Sequence, residues 1–368
     1  MKHARLQPLL VAALRALTHH PARLPDLDDA GWDLLLRQAG ATNLLATLSC
    51  LLDECGLREQ VPAPAREQLD WAAVLARRHR QGVSWEVRLI RQALADLGVP
   101  LILLKGAAYT LAGLPPAHGR LFSDIDVLVP EERLGEAEAA LMLAGWAGTH
   151  HDAYDQRYYR EWMHELPPMR HLRRASMIDV HHAILPRTAP MRPNPALLRA
   201  AAVPLPGMPG LYVLAPVDMV LHSAVHLFSE SEFNSGLRDL LDIHRLLTHF
   251  GADRRFWVEL PDRARELELE RPLFYALRYC SMMLGTEVPA AVQADVAGPS
   301  PACVGLMDAL FSRVLVPDHA SCRDRLDALA RFLLYLRGNW LRMPPLLLAR
   351  HLFHKAFLSP RKSTPEAA

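Results

Sequence analysis

The chain has 368 residues, of which 51% are hydrophobic and 22% are charged, and its formal net charge at pH 7 is +1. This composition is typical of a globular protein with length enough for two or three domains. The near-zero net charge argues against a protein that binds nucleic acid nonspecifically through an overall basic field.

The sequence predicts a cytoplasmic protein without a transmembrane segment. No apolar run approaches the roughly 18 residues needed to span a bilayer. The segment Met1–Ala16 resembles a signal peptide, but Arg15 interrupts its apolar run, so we expect an amphipathic helix there. Five scattered cysteines without a CxxC pair favour reduced thiols.

Residues 1–97 have the apolar spacing of helices. The longest candidate helix covers Arg66–Leu97 and is preceded by Pro62 and Pro64. Gly82 lies inside this pattern, and Gly98 is expected to end the helix.

Residues 98–185 have a different pattern, in which short apolar runs alternate with short helical segments. This mixture predicts a compact α/β or α+β unit. The expected strands cover 99–104, 124–129, 146–149, 169–173 and 177–182, and the expected helices cover 107–114 and 131–144.

The rest of the chain is predicted to be a linker followed by helices. Residues 186–215 are rich in proline and read as an extended linker with a further strand at 211–214. Residues 216–358 are expected to form a helical domain, and residues 359–368 a disordered tail. The candidate helices are 218–228, 237–250, 256–267 (in which Pro261 is expected to break the helix), 272–284, 303–314 and 323–336.

A pair of acidic residues lies in the second apolar strand of the core. Because side chains alternate along a strand, Asp124 and Asp126 would share one face while Ile125 points into the core. Two like charges at short range repel each other unless a cation lies between them. Oxygen ligands of this type favour two Mg²⁺ or Mn²⁺ ions, the arrangement used for in-line phosphoryl chemistry.

A third carboxylate is expected from a later strand. In the run Met177–His181, Asp179 and His181 face the side opposite to Ile178 and Val180. If this strand lies beside the Asp124–Asp126 strand, Asp179 completes the set of metal ligands.

A Lys-Gly pair follows the first strand of the core. Only four of the 41 basic residues are lysine, and Lys105 is the only lysine between the two ends of the chain. Gly106 would let the backbone approach a phosphate, and Lys105 would serve as a compact positive charge on it. A lysine that merely extends from the strand end into solvent is the alternative.

The segments LLKG at 103–106, GRLFSDIDVLV at 119–129 and IDVHH at 178–182 together resemble the uncharacterised nucleotidyltransferase family of the DNA polymerase β superfamily. The resemblance implies a polymerase-β-type core, a small mixed sheet with flanking helices, between the N-terminal and C-terminal helical regions. It makes Asp124, Asp126 and Asp179 catalytic metal ligands. It places Lys105, Gly106, Arg120 and Ser123 on the triphosphate side. Ala107 departs from the superfamily, which often has serine there.

Further polar residues lie on the predicted helices after the core. His222 and His226 are spaced so that they could bind a metal, or they could simply pack against the core. Arg238 and Asp242 could form a salt-bridge face. The resemblance implies a helical domain beside the nucleotide cleft, in which these residues could hold the nucleotide or the acceptor. His181 is a further accessory candidate, because it is expected to face the same side as Asp179.

The favoured function is metal-dependent transfer of a nucleoside monophosphate from an NTP to an acceptor hydroxyl, with release of pyrophosphate. The acceptor stays open between a small molecule, a protein side chain and an RNA end, and a biosynthetic partner protein is an implied possibility. The alternatives are a nucleotide-binding module with little or no catalysis, a metal-dependent phosphohydrolase, and a helical scaffold in which the acidic pair is incidental.

Overall fold

The protein is described here by a computed structural model covering residues 8–19, 26–150, 152–344 and 348–349. At its centre is a mixed sheet whose strands are all short. In chain order they are β1 (Leu101–Leu103), β2 (Ile125–Leu128), β3 (Trp146–Gly148), β4 (Met169–His171), β5 (Met177–His181), β6 (Val203–Pro204) and β7 (Leu211–Val213).

The strand order across the sheet is β3-β4-β5-β2-β1-β7-β6. The two central pairings decide where the acidic residues lie. Strand β2 runs antiparallel to β1 and parallel to β5. In the parallel pair, Asp126 lies directly opposite Asp179. The expected adjacency of these two strands is therefore confirmed.

In the described part of the chain before the sheet, four α-helices follow the predicted pattern. The long helix is uninterrupted at Gly82, and Gly98 in the left-handed conformation (φ 64°) ends the 3₁₀ turn that follows it. Asp28 caps the second helix, since its carboxylate accepts a hydrogen bond from the backbone N–H of Gly31. The helices are α1 (Leu9–His19), α2 (Asp29–Gly40), α3 (Leu45–Glu54) and α4 (Ala63–Ala93).

Short helices connect the strands. The predicted linker at 186–215 is not fully extended, because Asn194 caps a helix within it and β6 follows that helix. Leu198 on this helix is completely buried, which holds the segment against the core. The helices of this region are α5 (Lys105–Leu111), α6 (Leu134–Leu143), α7 (Ala153–Arg157) and α8 (Pro195–Ala200).

The C-terminal region is helical over residues 216–342, as predicted, and part of the predicted range beyond them lies outside the described residues. The expected break at Pro261 is wrong, because the helix continues through this proline, with Phe256, Leu260 and Ala264 buried along its length. Packing of that apolar face outweighs the local cost of proline. The helices are α9 (Pro216–Ser229), α10 (Gly236–Phe250), α11 (Arg254–Glu266), α12 (Glu270–Tyr279), α13 (Ala290–Asp295), α14 (Pro301–Val314) and α15 (Asp327–Arg342).

One connected hydrophobic core joins the N-terminal helices, the sheet and the C-terminal helices. The predicted α+β class, a small mixed sheet flanked by helices, is thus confirmed. Within the described residues, none of the helices has the length and apolar character to cross a membrane. The predicted tail at 359–368 lies outside the described residues. The domain boundaries stay predictions.

Candidate active site

Three carboxylates meet at one edge of the central strand pair. Asp126 lies within β2 and is 5% exposed, Asp124 immediately precedes the strand, and Asp179 lies within β5. One oxygen from each of the three lies within 4.8 Å of the others. The parallel register produces this convergence, because it places Asp126 beside Asp179 on the same face.

Asp126 has two basic neighbours. Its Oδ1 atom lies 3.4 Å from Lys105 Nζ and 3.0 Å from His181 Nε2. Burial alone would raise the pKa of Asp126, but the Lys105 ammonium and the hydrogen bond from His181 hold it well below its ordinary value. Asp126 is therefore ionised, with its charge already balanced on one side.

Asp179 is in a different electrostatic environment. Burial, followed by the nearby Glu165 and Asp126 carboxylates, raises its pKa to about 7. Its Oδ1 atom is buried without a hydrogen-bond partner among the described residues. A buried carboxylate oxygen without a donor is costly, and a bound cation would satisfy it.

His181 links this acidic group to a carboxylate that the sequence did not single out. Its Nδ1 atom lies 3.2 Å from Glu165 Oε2, so each ring nitrogen faces a carboxylate. Burial would lower the pKa of His181, but Glu165 and Asp126 raise it above the ordinary value. Glu165 was missed because it lies outside any strand, in an isolated bridge to β5, and no spacing signal marks it.

The Lys-Gly pair forms the predicted turn from strand to helix. Lys105 is the first residue of α5 and has φ of +43°, a conformation that costs energy for a residue with a side chain. Gly106 has no room for a larger residue, since a Cβ atom would lie 2.8 Å from the Phe122 ring and 3.0 Å from Arg120 Nε. The turn is thus fixed tightly against the segment that leads into β2.

Arg120 and Ser123 lie in that segment, and each has a protein partner. Arg120 Nη1 forms an ion pair with Asp242 of α10, and both side chains are largely buried. Ser123 Oγ donates a hydrogen bond of 2.8 Å to Asp124 Oδ1. Arg120 therefore connects the sheet to the helical region, in addition to lying beside Gly106.

A cleft between the sheet and helices α9 and α10 holds most of these groups. It contains about 1130 Å³ of space not filled by protein atoms, part of it open to solvent. Asp124 and Asp126 line it, whereas Asp179 is not part of its wall. The other polar lining includes Lys105, Arg120, Ser123, His226, Glu230, Glu232, Arg238, Asp239 and Asp242.

The remaining predicted accessory residues separate into two groups. His226, Arg238 and Asp242 line the cleft, with Arg238 donating hydrogen bonds of 3.0 and 2.8 Å to Asp239 Oδ1. His222 is buried outside the cleft wall, and burial followed by the Lys105 charge lowers its pKa to about 3. Among the described residues, two groups have metal-ligand geometry, the three aspartates and the set His164, Glu165 and His181. Neither group includes His222 or His226.

A family model described as "Uncharacterised nucleotidyltransferase" matches residues 28–285, which is well over half of the chain. The chain belongs to this uncharacterised nucleotidyltransferase family. The family match contains every residue of the cleft, and it supports the transferase class that the motifs predicted. No curated protein matches the chain, and no solved structure does.

Proposed function

We propose that the chain transfers a nucleoside monophosphate from an NTP to an acceptor hydroxyl. The observation that carries this proposal is the convergence of Asp124, Asp126 and Asp179 beside the Lys105–Gly106 turn. In the reaction, the acceptor oxygen forms a bond to the α-phosphorus and the bond from that phosphorus to the bridging oxygen breaks. Pyrophosphate leaves with the electron pair, and the hydroxyl proton passes to solvent.

The three carboxylates fit the divalent ions that nucleotidyltransferases generally use. Their oxygens are hard ligands, and the unpartnered Oδ1 of Asp179 is a position at which an ion would replace a missing donor. When bound, Mg²⁺ or Mn²⁺ ions would lower the pKa of the attacking hydroxyl and neutralise charge on the triphosphate.

The other residues of the proposed site bind and orient the nucleotide. Lys105 would contact a phosphate, for which its position beside Asp126 suits it. Gly106 would let the backbone come close to the same group. Ser123 holds Asp124 through its hydrogen bond, which limits the rotation of that carboxylate. Arg238 and His226, on the helical side of the cleft, would face the nucleotide or the acceptor.

The test compares two conservative variants of the full chain. Asp126→Asn keeps the size of a ligand-forming side chain and removes its charge, whereas Asp96→Asn makes the same change at an exposed position outside the cleft. We expect wild type and Asp96→Asn to bind a nonhydrolysable NTP in a Mg²⁺-dependent manner and to release pyrophosphate in a screen of the four NTPs with candidate acceptors. Asp126→Asn should lose about 100-fold or more of the turnover while remaining folded.

Two outcomes would contradict the proposal. If Asp126→Asn kept the turnover of Asp96→Asn, Asp126 would not take part in the reaction. If the NTP bound but released no pyrophosphate with any of the acceptors tried, the chain would instead fit a nucleotide-binding module.

A further inference from the structure

A second groove lies on the other side of the segment 122–124, and we name it the α4 groove. Its wall includes Arg78, Gly82, Trp85 and Glu86 of helix α4, together with Asp124 and with Ser176, which immediately precedes β5. It contains about 770 Å³ of space not filled by protein atoms, part of it open to solvent. The α4 groove and the active-site cleft share only residues 122–124 of their linings. Asp124 is therefore accessible from two separate depressions.

Gly82 is the first feature that indicates a ligand-binding role for the α4 groove. It lies inside α4, where glycine destabilises a helix relative to alanine. The fold does not require glycine there, because the residue has ordinary helical backbone and a Cβ atom would meet nothing within 4 Å. Other glycines of the site have a structural reason, such as the contact of Gly106 with the Phe122 ring. The missing side chain at position 82 leaves the wall of the groove open.

Two residues in the wall of the groove each have a buried polar atom without a partner among the described residues. Glu86 is buried and pairs with Arg174 through Oε1 at 2.6 Å, but its Oε2 atom is unsatisfied. Ser176 Oγ is buried and unsatisfied as well. Both atoms are closed off from solvent, so a ligand that carries hydroxyl groups satisfies them when their side chains rotate toward the groove.

The rim of the groove provides a cation and an aromatic ring. Arg78 is exposed, and within the described residues no carboxylate lies at salt-bridge distance from it. Trp85 is 58% exposed, although a large aromatic ring is normally covered by its own fold. An unpaired guanidinium suits a phosphate, and an exposed indole suits a flat ring stacked on it.

We propose that the α4 groove binds the acceptor, and that the acceptor is a phosphorylated sugar unit whose hydroxyl reaches Asp124. This assignment rests on the nucleotidyl transfer proposed above, in which the NTP occupies the cleft on the Lys105 side. Arg78 binds the acceptor phosphate, Glu86 and Ser176 bind sugar hydroxyls, and Gly82 gives the sugar room. This combination of a phosphate with sugar hydroxyls is found both in a free sugar phosphate and at the end of an RNA chain.

The experiment measures binding to the full chain in the absence of NTP, so that turnover is not needed. Titration calorimetry uses ribose 5-phosphate, the trinucleotide pApApA, and ribose as the probe without phosphate. We expect Arg78→Gln to lower the binding affinity for the phosphorylated probes roughly tenfold. Arg88→Gln is the matched control, since Arg88 is an exposed arginine of the same helix outside the groove wall.

Gly82 provides a second pair of variants. Gly82→Ala should raise the midpoint of thermal unfolding, because alanine is the better helix former. Gly82→Leu should remain folded and abolish binding of the phosphorylated probes by filling the groove. Neither variant should change the Mg²⁺-dependent affinity for a nonhydrolysable NTP by more than about twofold, because Gly82 lies outside the cleft.

The titrations either show which of the two acceptors, a free sugar phosphate or an RNA end, binds in the groove, or they overturn the proposal. Binding of pApApA alone supports an RNA end, and binding of ribose 5-phosphate as well supports a free sugar phosphate. The groove proposal is overturned if neither probe binds, or if Arg78→Gln binds them as Arg88→Gln does. If the probes bind with the expected variant effects but the NTP does not, the proposed transfer fails while the groove stays a phosphosugar site.

Discussion

The buried ion pair between Arg120 and Asp242 provides the sharpest test of how the cleft is held together. The side chains of both residues are 10% exposed, and the pair joins the segment before β2 to helix α10. Replacing Asp242 with leucine would leave the Arg120 guanidinium buried without its carboxylate. Breaking a buried pair on one side costs about 3–5 kcal/mol.

The structure places the expected value at the lower end of that range. The Tyr109 ring lies 5.9 Å from the Arg120 guanidinium carbon and would partly stabilise the unpaired charge. We therefore expect Asp242→Leu to lower the free energy of unfolding by about 3 kcal/mol. The double variant with Arg120→Met should lose much less, because no unpaired buried charge remains.

Urea unfolding of the wild type, the two single variants and the double variant at pH 7 measures this coupling. A coupling free energy of about 2–3 kcal/mol is the expected result. If each single variant cost under about 1 kcal/mol and the double variant equalled their sum, the pair would be solvated and would not hold the cleft.

Two further predictions concern stability. Burial lowers the pKa of His244 to about 4, so the unfolded chain takes up a proton near pH 6.5 before the folded chain does. The contribution of neutral His244 to the free energy of unfolding is present above pH 6.5 and is lost as the pH falls toward 4. The free energy of unfolding, measured with urea, should therefore fall by about 2 kcal/mol less between pH 7.5 and pH 5 in His244→Gln than in the wild type. An unchanged pH dependence would refute this. Gly119→Ala should cost at least about 2 kcal/mol more than Gly113→Ala. Both glycines have positive φ, but only at Gly119 would a Cβ atom meet backbone, 2.4 Å from Ala46. Equal urea midpoints for the two variants would show that this close approach relaxes at little cost.

The local features of the fold follow from the sequence because their causes are local. Apolar alternation identifies β2 and β5 and places their acids on one face. The glycine at position 98 ends the long helical region because it adopts a left-handed conformation that other residues resist. The parallel pairing itself could only be expected, since no local signal specifies which strands become neighbours.

The features that the sequence could not provide depend on distant contacts. Arg120 and Asp242 are 122 residues apart, and nothing in the spacing of either residue indicates its partner. The contact of Glu165 with His181 is equally hidden, because Glu165 lies outside the strands. Pro261 shows the converse error, in which a reliable local rule loses to the packing of a buried helix face.

The charge balance at the sheet edge is the strongest physical reason to assign a ligand there. A fold selected for stability alone gains nothing from placing Asp179 beside Asp126, since each carboxylate raises the cost of ionising the other. Lys105 and His181 offset the charge of Asp126, but Asp179 keeps a buried oxygen without a donor and a pKa near 7. Both costs disappear when a divalent ion supplies the missing charge, because a metal-bound carboxylate is ionised and coordinated at once. This unfavourable arrangement of carboxylates is therefore what a site built to bind cations is expected to have.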